Sequence, residues 1–233
     1  MKNFNKVFAA VLIIIQIAHC SLFIDNCKAD WIQSNGPGGG SVNCLAISGN
    51  HIFAGNGFRS VFHSTNYGET WTAANSGLSN DYIFTIAMSS NNLFAGTWGG
   101  GVFLSVDYGG NWTPVNNGLT SQSVYSFAIR GNYVFAGTFN GVFLTTNNGG
   151  SWAAAGLSDH WITSFAVNGN IIFAGTNYPG VFLSTNNGES WTAANNGISD
   201  QYVSSLTVKG NNIFAGTEAG VFLSTNNGGN WTA

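Results

Sequence analysis

The chain has 233 residues, a formal net charge of −3 and charged side chains at only 6% of its positions, against about 25% in an average globular domain. With six lysines and arginines in total, the chain lacks the basic surface needed to neutralise several phosphates, which excludes nucleic acid as a partner. An apolar content of 44% argues against intrinsic disorder, and the 32 glycines beside three prolines predict many tight turns rather than helices.

The N-terminal part of the chain has the pattern of an export signal. Lys2 and Lys6 precede a nearly continuous apolar run over residues 7–24, and small residues follow it. We therefore expect residues 1–29 to be a signal peptide. Residues 30–233 would then form one mature domain that is secreted, periplasmic or displayed at the cell surface. Because the apolar run is long for a signal, an uncleaved membrane anchor is the alternative, and only then is a membrane expected as a partner.

Cleavage at this point would leave Cys44 as the single cysteine of the mature chain, since Cys20 and Cys27 precede residue 30. No intramolecular disulfide is expected, so packing must stabilise the fold. Cys44 lies within a strand-like pattern, and we interpret it as a small core residue.

A repeat of about 40 residues covers the mature chain. Every copy carries a hairpin of the form Ser/Thr-x-Asn/Asp-x-Gly-x-x-Trp, which we call the box. A period of this length is typical of solenoids and propellers. The box positions are Ser64, Asn66, Gly68 and Trp71; Ser105, Asp107, Gly109 and Trp112; Thr145, Asn147, Gly149 and Trp152; Ser184, Asn186, Gly188 and Trp191; and Ser224, Asn226, Gly228 and Trp231.

The third copy shows the content of one unit best. Runs of β-branched and aromatic residues separated by Gly/Asn turns predict strands over residues 124–129, 133–137, 141–145 and 151–155. No segment has sustained helical periodicity. A four-stranded sheet every 40 residues predicts an all-β chain, folded as a β-propeller of four-stranded antiparallel blades with five repeats visible.

The box has a mechanical interpretation. Its hydroxyl and amide side chains are of the kind that hydrogen-bond turn backbone. Its glycine is suited to a positive φ, and its tryptophan can bury a large ring against a neighbouring blade. We therefore interpret the box as a structural element.

These hairpins resemble the Asp-box, or bacterial neuraminidase repeat. That repeat occurs in sialidases, sortilin-type receptors, xyloglucan-cleaving glycosidases and the photosystem II stability/assembly-factor group, so the resemblance implies a β-propeller without choosing between enzymes and non-enzymes. Four of the five boxes carry Asn where the pattern has Asp, and Asp107 alone keeps the acid. This departure argues against a metal role at the boxes.

An incomplete copy precedes the first full unit. Residues 31–36 resemble residues 71–77, the fourth strand and exit loop of a unit, yet the fifth unit already has its own Trp231. Either five blades close on themselves with one extra strand, or the chain is the front part of a six- to eight-bladed propeller. We favour the second alternative. An open arc would expose apolar blade faces that invite association.

Variable residues concentrate in two loop sets, which in propellers open on one face. One set joins the fourth strand of a unit to the next unit, and the other joins the second and third strands. Aromatic faces beside amides suit sugar rings or peptide surfaces, so we predict a protein or carbohydrate ligand. The alternative is that these rings only close the channel mouth or pack between blades. The candidate ligand-binding residues are Arg59, Tyr82, Trp98, Phe139, Trp161, Tyr178, Tyr202 and Glu218.

Catalysis is not expected at this face. The resemblance to sialidases implies a site with three clustered arginines. The mature chain has only Arg59 and Arg130, and we predict that they lie on opposite faces. A glycosidase needs two carboxyls about 5–9.5 Å apart. Asp159 and Asp200 hold the same place in two units, and we interpret them as turn caps.

Metal and cofactor binding are not expected either. His51, His63 and His160 fall at different places in their units, and no ligand pair has close spacing. The sequence thus predicts a non-enzymatic binding or scaffold module. A sialidase- or xyloglucanase-type glycosidase domain is the alternative, and a purely architectural spacer is a third.

Overall fold

The computed structural model describes residue 36 and residues 41–57, 60–78 and 82–233. The predicted signal peptide, Trp31 and Arg59 lie outside the described residues. In the described part of the chain every regular element is a β-strand, and no helix there could cross a membrane.

Nineteen strands group into five blades in chain order. The first blade contains β1 (Val42–Ser48), β2 (His51–Asn56), β3 (Ser60–Ser64) and β4 (Thr72–Ala73). The second contains β5 (Ile83–Ser89), β6 (Asn92–Thr97), β7 (Val102–Ser105) and β8 (Thr113–Pro114). The third contains β9 (Val124–Arg130), β10 (Tyr133–Thr138), β11 (Gly141–Thr145) and β12 (Ala153–Ala154). The fourth contains β13 (Ile162–Asn168), β14 (Ile171–Thr176), β15 (Val181–Ser184) and β16 (Thr192–Ala193). The fifth contains β17 (Val203–Lys209), β18 (Asn212–Thr217) and β19 (Gly220–Ser224).

Each blade is an antiparallel meander in which successive strands pair. In the fifth blade a single bridge between Leu223 and Thr232 takes the place of the fourth strand. The prediction of an all-β fold built from repeated antiparallel blades is confirmed.

The fourth strands are shorter than predicted. In the third blade the strand is Ala153–Ala154, not residues 151–155. The reason is that Trp152 donates its backbone N–H to Asn117 O of the preceding blade, 2.8 Å away, so this part of the chain joins two blades. The same bond recurs from Trp112 and Trp231.

The blades stack through their first strands: β1 packs beside β5, β5 beside β9, β9 beside β13, and β13 beside β17. The second strands supply the centre of the core, where Phe53, Phe94, Phe135 and Phe173 are fully buried. Cys44 packs against the core of the first two blades. Burial raises the pKa of its thiol to about 12, so the thiol stays protonated, as a core residue should.

An apolar side chain at the start of each first strand fits against a glycine of the preceding blade. A Cβ added at Gly55 would lie 2.7 Å from Cγ2 of Ile83, and one added at Gly96 would lie 2.8 Å from Cγ1 of Val124. The same contact is made by Ile162 on Gly137 and by Val203 on Gly175. Only glycine permits so close an approach, which explains its presence at this position in every unit.

The third box shows how the hairpin is held. Thr145 donates its hydroxyl proton to Asn147 Oδ1 at 2.8 Å and accepts the N–H of Gly149 at 3.0 Å. Asn147 Oδ1 also accepts the N–H of Ser151 at 2.9 Å. Gly149 has a φ of 84°, the left-handed conformation that its position predicts.

The amide or acid of the box is matched to the residue four positions later. Asn147 donates its side-chain NH₂ to the Ser151 hydroxyl at 3.1 Å. Asn66 and Asn186 do the same to Thr70 and Ser190. Asp107 has no such donor, and its carboxylate instead accepts the NH₂ of Asn111 at 3.0 Å. In the first, third and fourth boxes the change from Asp to Asn is therefore a change of hydrogen-bond polarity that the partner hydroxyl compensates. The fifth box differs, because Asn226 is followed by Asn230, which donates its backbone N–H to Asn226 Oδ1 at 2.9 Å.

The box tryptophans bond to the preceding blade. The indole N–H of Trp112 donates to Ala74 O at 2.8 Å, that of Trp152 to Val115 O at 2.7 Å, and that of Trp231 to Ala194 O at 2.8 Å. Trp71 of the first blade donates to its own Gly68 O at 3.1 Å. These bonds fix each blade to the one before it.

The described residues form an open arc. β1 and β17 do not pack side by side as the other first strands do. The alternative in which five blades close on themselves is therefore not what the described residues show. The six- to eight-bladed alternative stays a prediction.

Candidate functional site

Backbone hydrogen bonds bring the two variable loop sets together at one end of the blades. Trp98 donates its N–H to Tyr82 O at 3.0 Å, and Asn177 donates to Trp161 O at 3.0 Å. Phe139 donates in the same way to Ser123 O at 3.3 Å. The loops after the second strands thus lie directly beside the loops that enter the first strands, and together they form what we call the loop face.

Aromatic rings make a continuous row along this face from the second blade to the fourth. Ring centroids are 5.0 Å apart between Tyr82 and Phe84, 4.8 Å between Phe84 and Tyr125, and 4.9 Å between Tyr125 and Trp161. Phe139 joins the row at Trp161, 5.8 Å away. Burial raises the pKa of Tyr125, and a hydrogen bond with Ser123 partly opposes the increase.

Phe84 and Tyr125 were not among the predicted site residues. They belong to β5 and β9, which the sequence assigned to packing. Each directly follows a fully buried residue, Ile83 or Val124, and successive strand residues point to opposite faces. That alternation, together with the bulk of the two rings, is the signal that could have found them.

A cavity of about 470 Å³ opens on the loop face between the third and fourth blades. Exposed rings of Phe139 and Tyr178 flank it, and the row ends in it at Trp161. Its lining residues are Phe139, Asn140, Ser158, Asp159, Trp161, Asn177 and Tyr178. Three of the predicted site residues, Phe139, Trp161 and Tyr178, meet here.

Trp161 contributes its ring to the lining of this cavity. Its indole N–H is buried and has no hydrogen-bond partner within the described part of the chain, so a ligand in the cavity would meet the ring rather than the N–H. Asp159 supplies the carboxylate of the lining.

The candidates of the fifth blade form a separate group. Asp200 accepts the N–H of Tyr202 at 3.1 Å and that of Ala219 at 2.9 Å, and these backbone bonds hold the pKa of its carboxyl below the usual range. Burial raises the pKa of Tyr202, and the charge of nearby Glu218 adds to the effect. Asp200 thus caps the turn as expected, whereas its counterpart Asp159 lines the cavity.

Arg130 lies at the end of β9 and reaches the fourth blade. Its Nε donates to Gly169 O at 3.2 Å and its Nη2 donates to Asn170 Oδ1 at 2.6 Å, while Nη1 bonds to Asn187 Oδ1. The guanidinium therefore ties the third blade to the fourth. Arg59, the other predicted arginine, lies outside the described residues.

Two histidines that the sequence placed at unrelated positions are partners. His51 and His63 lie on β2 and β3, with Nδ1 and Nε2 2.8 Å apart. Their spacing in the sequence gave no sign of this, because residues twelve apart become neighbours only across a hairpin. No group of three or more metal-ligating side chains occurs in the residues described.

No protein-family model and no curated protein matches the sequence, but solved structures match its fold. YCF48 bound to a D1 peptide is 14% identical, with a TM-score of 0.69, over 87% of this chain and 70% of that one. The extracellular domain of BT4673 from B. thetaiotaomicron is 20% identical, with a TM-score of 0.66, over 86% and 28%. An ancestral GH74 enzyme is 23% identical, with a TM-score of 0.64, over 82% and 32%.

The chain is a β-propeller. The similar structures are β-propellers, which agrees with the fold that the resemblance of the hairpins implies. The propeller spans less than a third of the BT4673 domain and of the GH74 enzyme. These neighbours include an extracellular domain, a peptide-bound protein and a glycoside hydrolase, so they establish the fold and leave the activity of this propeller to its own site.

Proposed function

We propose that this propeller is an exported, non-enzymatic binding module that holds a glycan in the cavity between its third and fourth blades. The observation that carries the proposal is the ring of Trp161 in the cavity lining beside the exposed rings of Phe139 and Tyr178. An extracellular domain among the similar structures supports an extracellular location.

The chemistry of the lining matches a sugar. The C–H face of a pyranose packs on an aromatic ring, and its hydroxyls need donors and acceptors around the ring edge. Asn140, Asn177 and Asp159 supply both kinds of group next to the rings. The cavity, about 470 Å³, falls within the roughly 300–1,000 Å³ of ordinary ligand sites.

The aromatic row serves two purposes in this proposal. Phe84 and Tyr125 stack on neighbouring rings of other blades. These two rings therefore have the packing role that was the alternative to ligand binding. Trp98, Phe139 and Tyr178 are exposed instead. Exposed rings cost free energy in water, so the presence of Phe139 and Tyr178 beside a cavity favours a ligand-binding role for these two.

Glycoside hydrolysis would require a second carboxyl opposite Asp159. The described lining supplies a serine, two amides and three aromatic rings at the remaining positions. This composition favours binding over turnover, although a GH74 enzyme is among the similar structures.

A peptide is the second candidate ligand, because one similar structure holds a D1 peptide. The test is a binding screen of the mature protein against immobilised glycans, including sialosides and β-glucans, and against a peptide library. We expect glycan binding that Trp161→Ala abolishes and Trp161→Phe weakens, since Phe keeps an aromatic ring but presents a smaller face to the sugar. Trp98→Ala combined with Trp161→Ala should also abolish it.

Tyr67→Ala is the matched control, because Tyr67 is an exposed aromatic residue of a box and not of the loop face. Binding of peptides alone would assign the site to the second candidate. Hydrolysis of any glycan would reject the non-enzymatic part of the proposal, and unchanged affinity in Trp161→Ala would reject the site.

A further inference from the structure

Charge is distributed unevenly between the two ends of the blades. Three residues of the loop face that the structure describes have formally charged side chains, and all three are carboxylates: Asp159, Asp200 and Glu218. The lysine and arginine of the described residues, Lys209 and Arg130, end first strands. Because a first strand starts at the loop face, its last residue lies at the other end of the blade. The described part of the loop face is therefore acidic.

Asp159 differs in its contacts from its counterpart in the next unit. Asp200 holds the same place and is used within the fold, since it accepts the N–H groups of Tyr202 and Ala219. The side chain of Asp159 accepts no hydrogen bond from any residue that the structure describes. It is exposed and lies in the lining of the cavity. Its carboxylate is therefore available to a ligand.

The aromatic rings around Asp159 also suit a positive charge. The ring centroids of Phe139 and Trp161 are 5.8 Å apart, and the exposed ring of Tyr178 lines the same cavity. The face of an aromatic ring is electrically negative, so it attracts an ammonium group within about 6 Å of its centroid. The remaining lining residues are two asparagines and a serine, so no cation of the lining opposes this attraction.

We propose that the glycan held in this cavity carries a protonated amine, as glucosamine does, a proposal that rests on the function proposed above. The ammonium group pairs with the carboxylate of Asp159, and the C–H face of the sugar packs on the aromatic rings. Asn140 and Asn177 supply donors and acceptors for the sugar hydroxyls. The ligand class is thus an amino sugar rather than a neutral or an acidic one.

The same groups act against an acidic sugar. A carboxylate in the cavity would meet the like charge of Asp159 and the negative faces of the rings, and the lining has no lysine or arginine to pair with it. Arg59, which the sequence assigns to a loop of this face, belongs to the first unit, whereas the cavity lies between the third and fourth blades. A sialoside should therefore bind more weakly than a neutral glycan of similar size.

A matched series of oligosaccharides separates charge from shape. The probes are oligomers of glucosamine, of N-acetylglucosamine and of glucose, equal in length and linkage, with a sialylated oligosaccharide as the acidic member. Calorimetric titration of the full chain, at low ionic strength and a pH that keeps the amine protonated, should give a Kd about tenfold lower for the glucosamine oligomer than for the two neutral ones. Added salt should reduce this difference, because Asp159 is exposed and salt screens its charge.

One variant tests the carboxylate directly. Asp159→Asn removes the charge and keeps the size of the side chain, so the glucosamine oligomer should bind no more tightly than the neutral oligomers. Glu189→Gln is the matched control, because it removes the same charge from an exposed residue of the fourth blade that lies in the box hairpin, away from the loop face. This control should keep the tenfold preference.

The outcomes separate the amine from the glycan site itself. Equal affinity for the charged and neutral oligomers, tighter binding of the sialylated one, or a preference that survives Asp159→Asn would each overturn the choice of an amino sugar and leave the glycan site standing. Binding of none of these oligosaccharides would also overturn it, and the wider screen of glycans and peptides would then decide the proposed function.

Discussion

His51 Nδ1 and His63 Nε2 lie 2.8 Å apart across the hairpin formed by β2 and β3. Their rings belong to a stack in which Phe53 lies against His63 and Tyr108 lies against His51. A bond between two ring nitrogens needs one N–H and one bare nitrogen, so it is lost when both rings are protonated. Burial lowers the pKa of His63, and the charge of His51 lowers it further.

Acid should therefore destabilise the first blade. The folded pKa of His63 lies below its ordinary value of 6.5, so the unfolded chain binds more protons between the two values. Stability is fully present above pH 6.5 and decreases as the pH falls from there through the folded pKa. Thermal unfolding midpoints measured from pH 8 to pH 5 should show this loss.

His63→Leu is the matched variant, because Leu104, Leu144, Leu183 and Leu223 hold the same register position in the other blades. It should reduce the loss of stability between pH 7 and pH 5. An equally steep loss in this variant would show that other groups cause it.

Asp107 should give a second acid transition at lower pH. Hydrogen bonds from the backbone and side chain of Asn111, and from Ser105, lower its pKa from 3.8 to about 2. Because the folded pKa is depressed, this contribution to stability is present above pH 3.8 and is lost as the pH falls toward 2. Asp107→Asn should remove that part of the acid dependence in a denaturant titration at pH 5, 4, 3 and 2.

The partner of Asp107 provides a double-mutant test. Asp107→Asn alone removes the carboxylate that accepts the NH₂ of Asn111 and leaves the Asn–Asn combination that Asn226 and Asn230 form in the fifth box. It should lower the unfolding midpoint at pH 7. Adding Asn111→Ser recreates the pairing of Asn147 with Ser151, and should restore most of the loss. Additive effects of the two changes would contradict the polarity matching described above.

The glycine contacts between blades predict a position-dependent cost. In Gly96→Ala the new methyl group would lie 2.6 Å from Thr85 Cγ2 of its own blade and 2.8 Å from Val124 Cγ1 of the next blade, and overpacking of this kind costs about 1–3 kcal/mol. Gly216→Ala changes the same position in the fifth blade, where the Cβ would lie 2.4 Å from Ser205 Oγ of its own blade and its nearest contacts include no neighbouring blade. Urea unfolding of monomeric protein should show a clearly smaller effect there; equal costs would mean that the contact between blades is not the cause.

The indole bonds between blades predict a similar contrast. Trp152→Phe leaves the carbonyl of Val115 without its 2.7 Å donor, and an unsatisfied buried acceptor costs about 1–3 kcal/mol. Trp71→Phe removes a bond made within its own box by a half-buried ring, and should cost less. The two variants can be compared by chemical denaturation, and a larger cost for Trp71→Phe would contradict the structural role given to these bonds.

Sequence reasoning predicted the blades because each local signal repeats five times and points to the same result. The box hydroxyls, glycines and tryptophans act within a few residues of one another, so their spacing in the chain is also their spacing in space. The length of the fourth strands was overestimated, because Trp152 bonds to Asn117 of another blade. A bond between blades does not change the local sequence periodicity from which strand length is predicted.

The candidate site could be predicted only in part. The loops carrying Trp98, Phe139 and Trp161 differ in sequence from unit to unit, and this difference is what indicated these residues as candidates. Phe84 and Tyr125 lie in strands whose neighbours are core, and their place in the aromatic row depends on rings from other blades. The cavity itself forms between two units about 40 residues apart, and no single unit contains it.

Every box tryptophan from the second blade onward bonds to the unit immediately before it, and every first-strand apolar residue fits the unit immediately before it. Recombination between two such near-identical segments of a gene would therefore add or remove a whole blade without leaving any hydrogen-bond donor unmatched inside the array. Stability in such an array is close to a sum over adjacent units. The number of blades can consequently change in evolution, whereas the residues at the contacts between blades cannot.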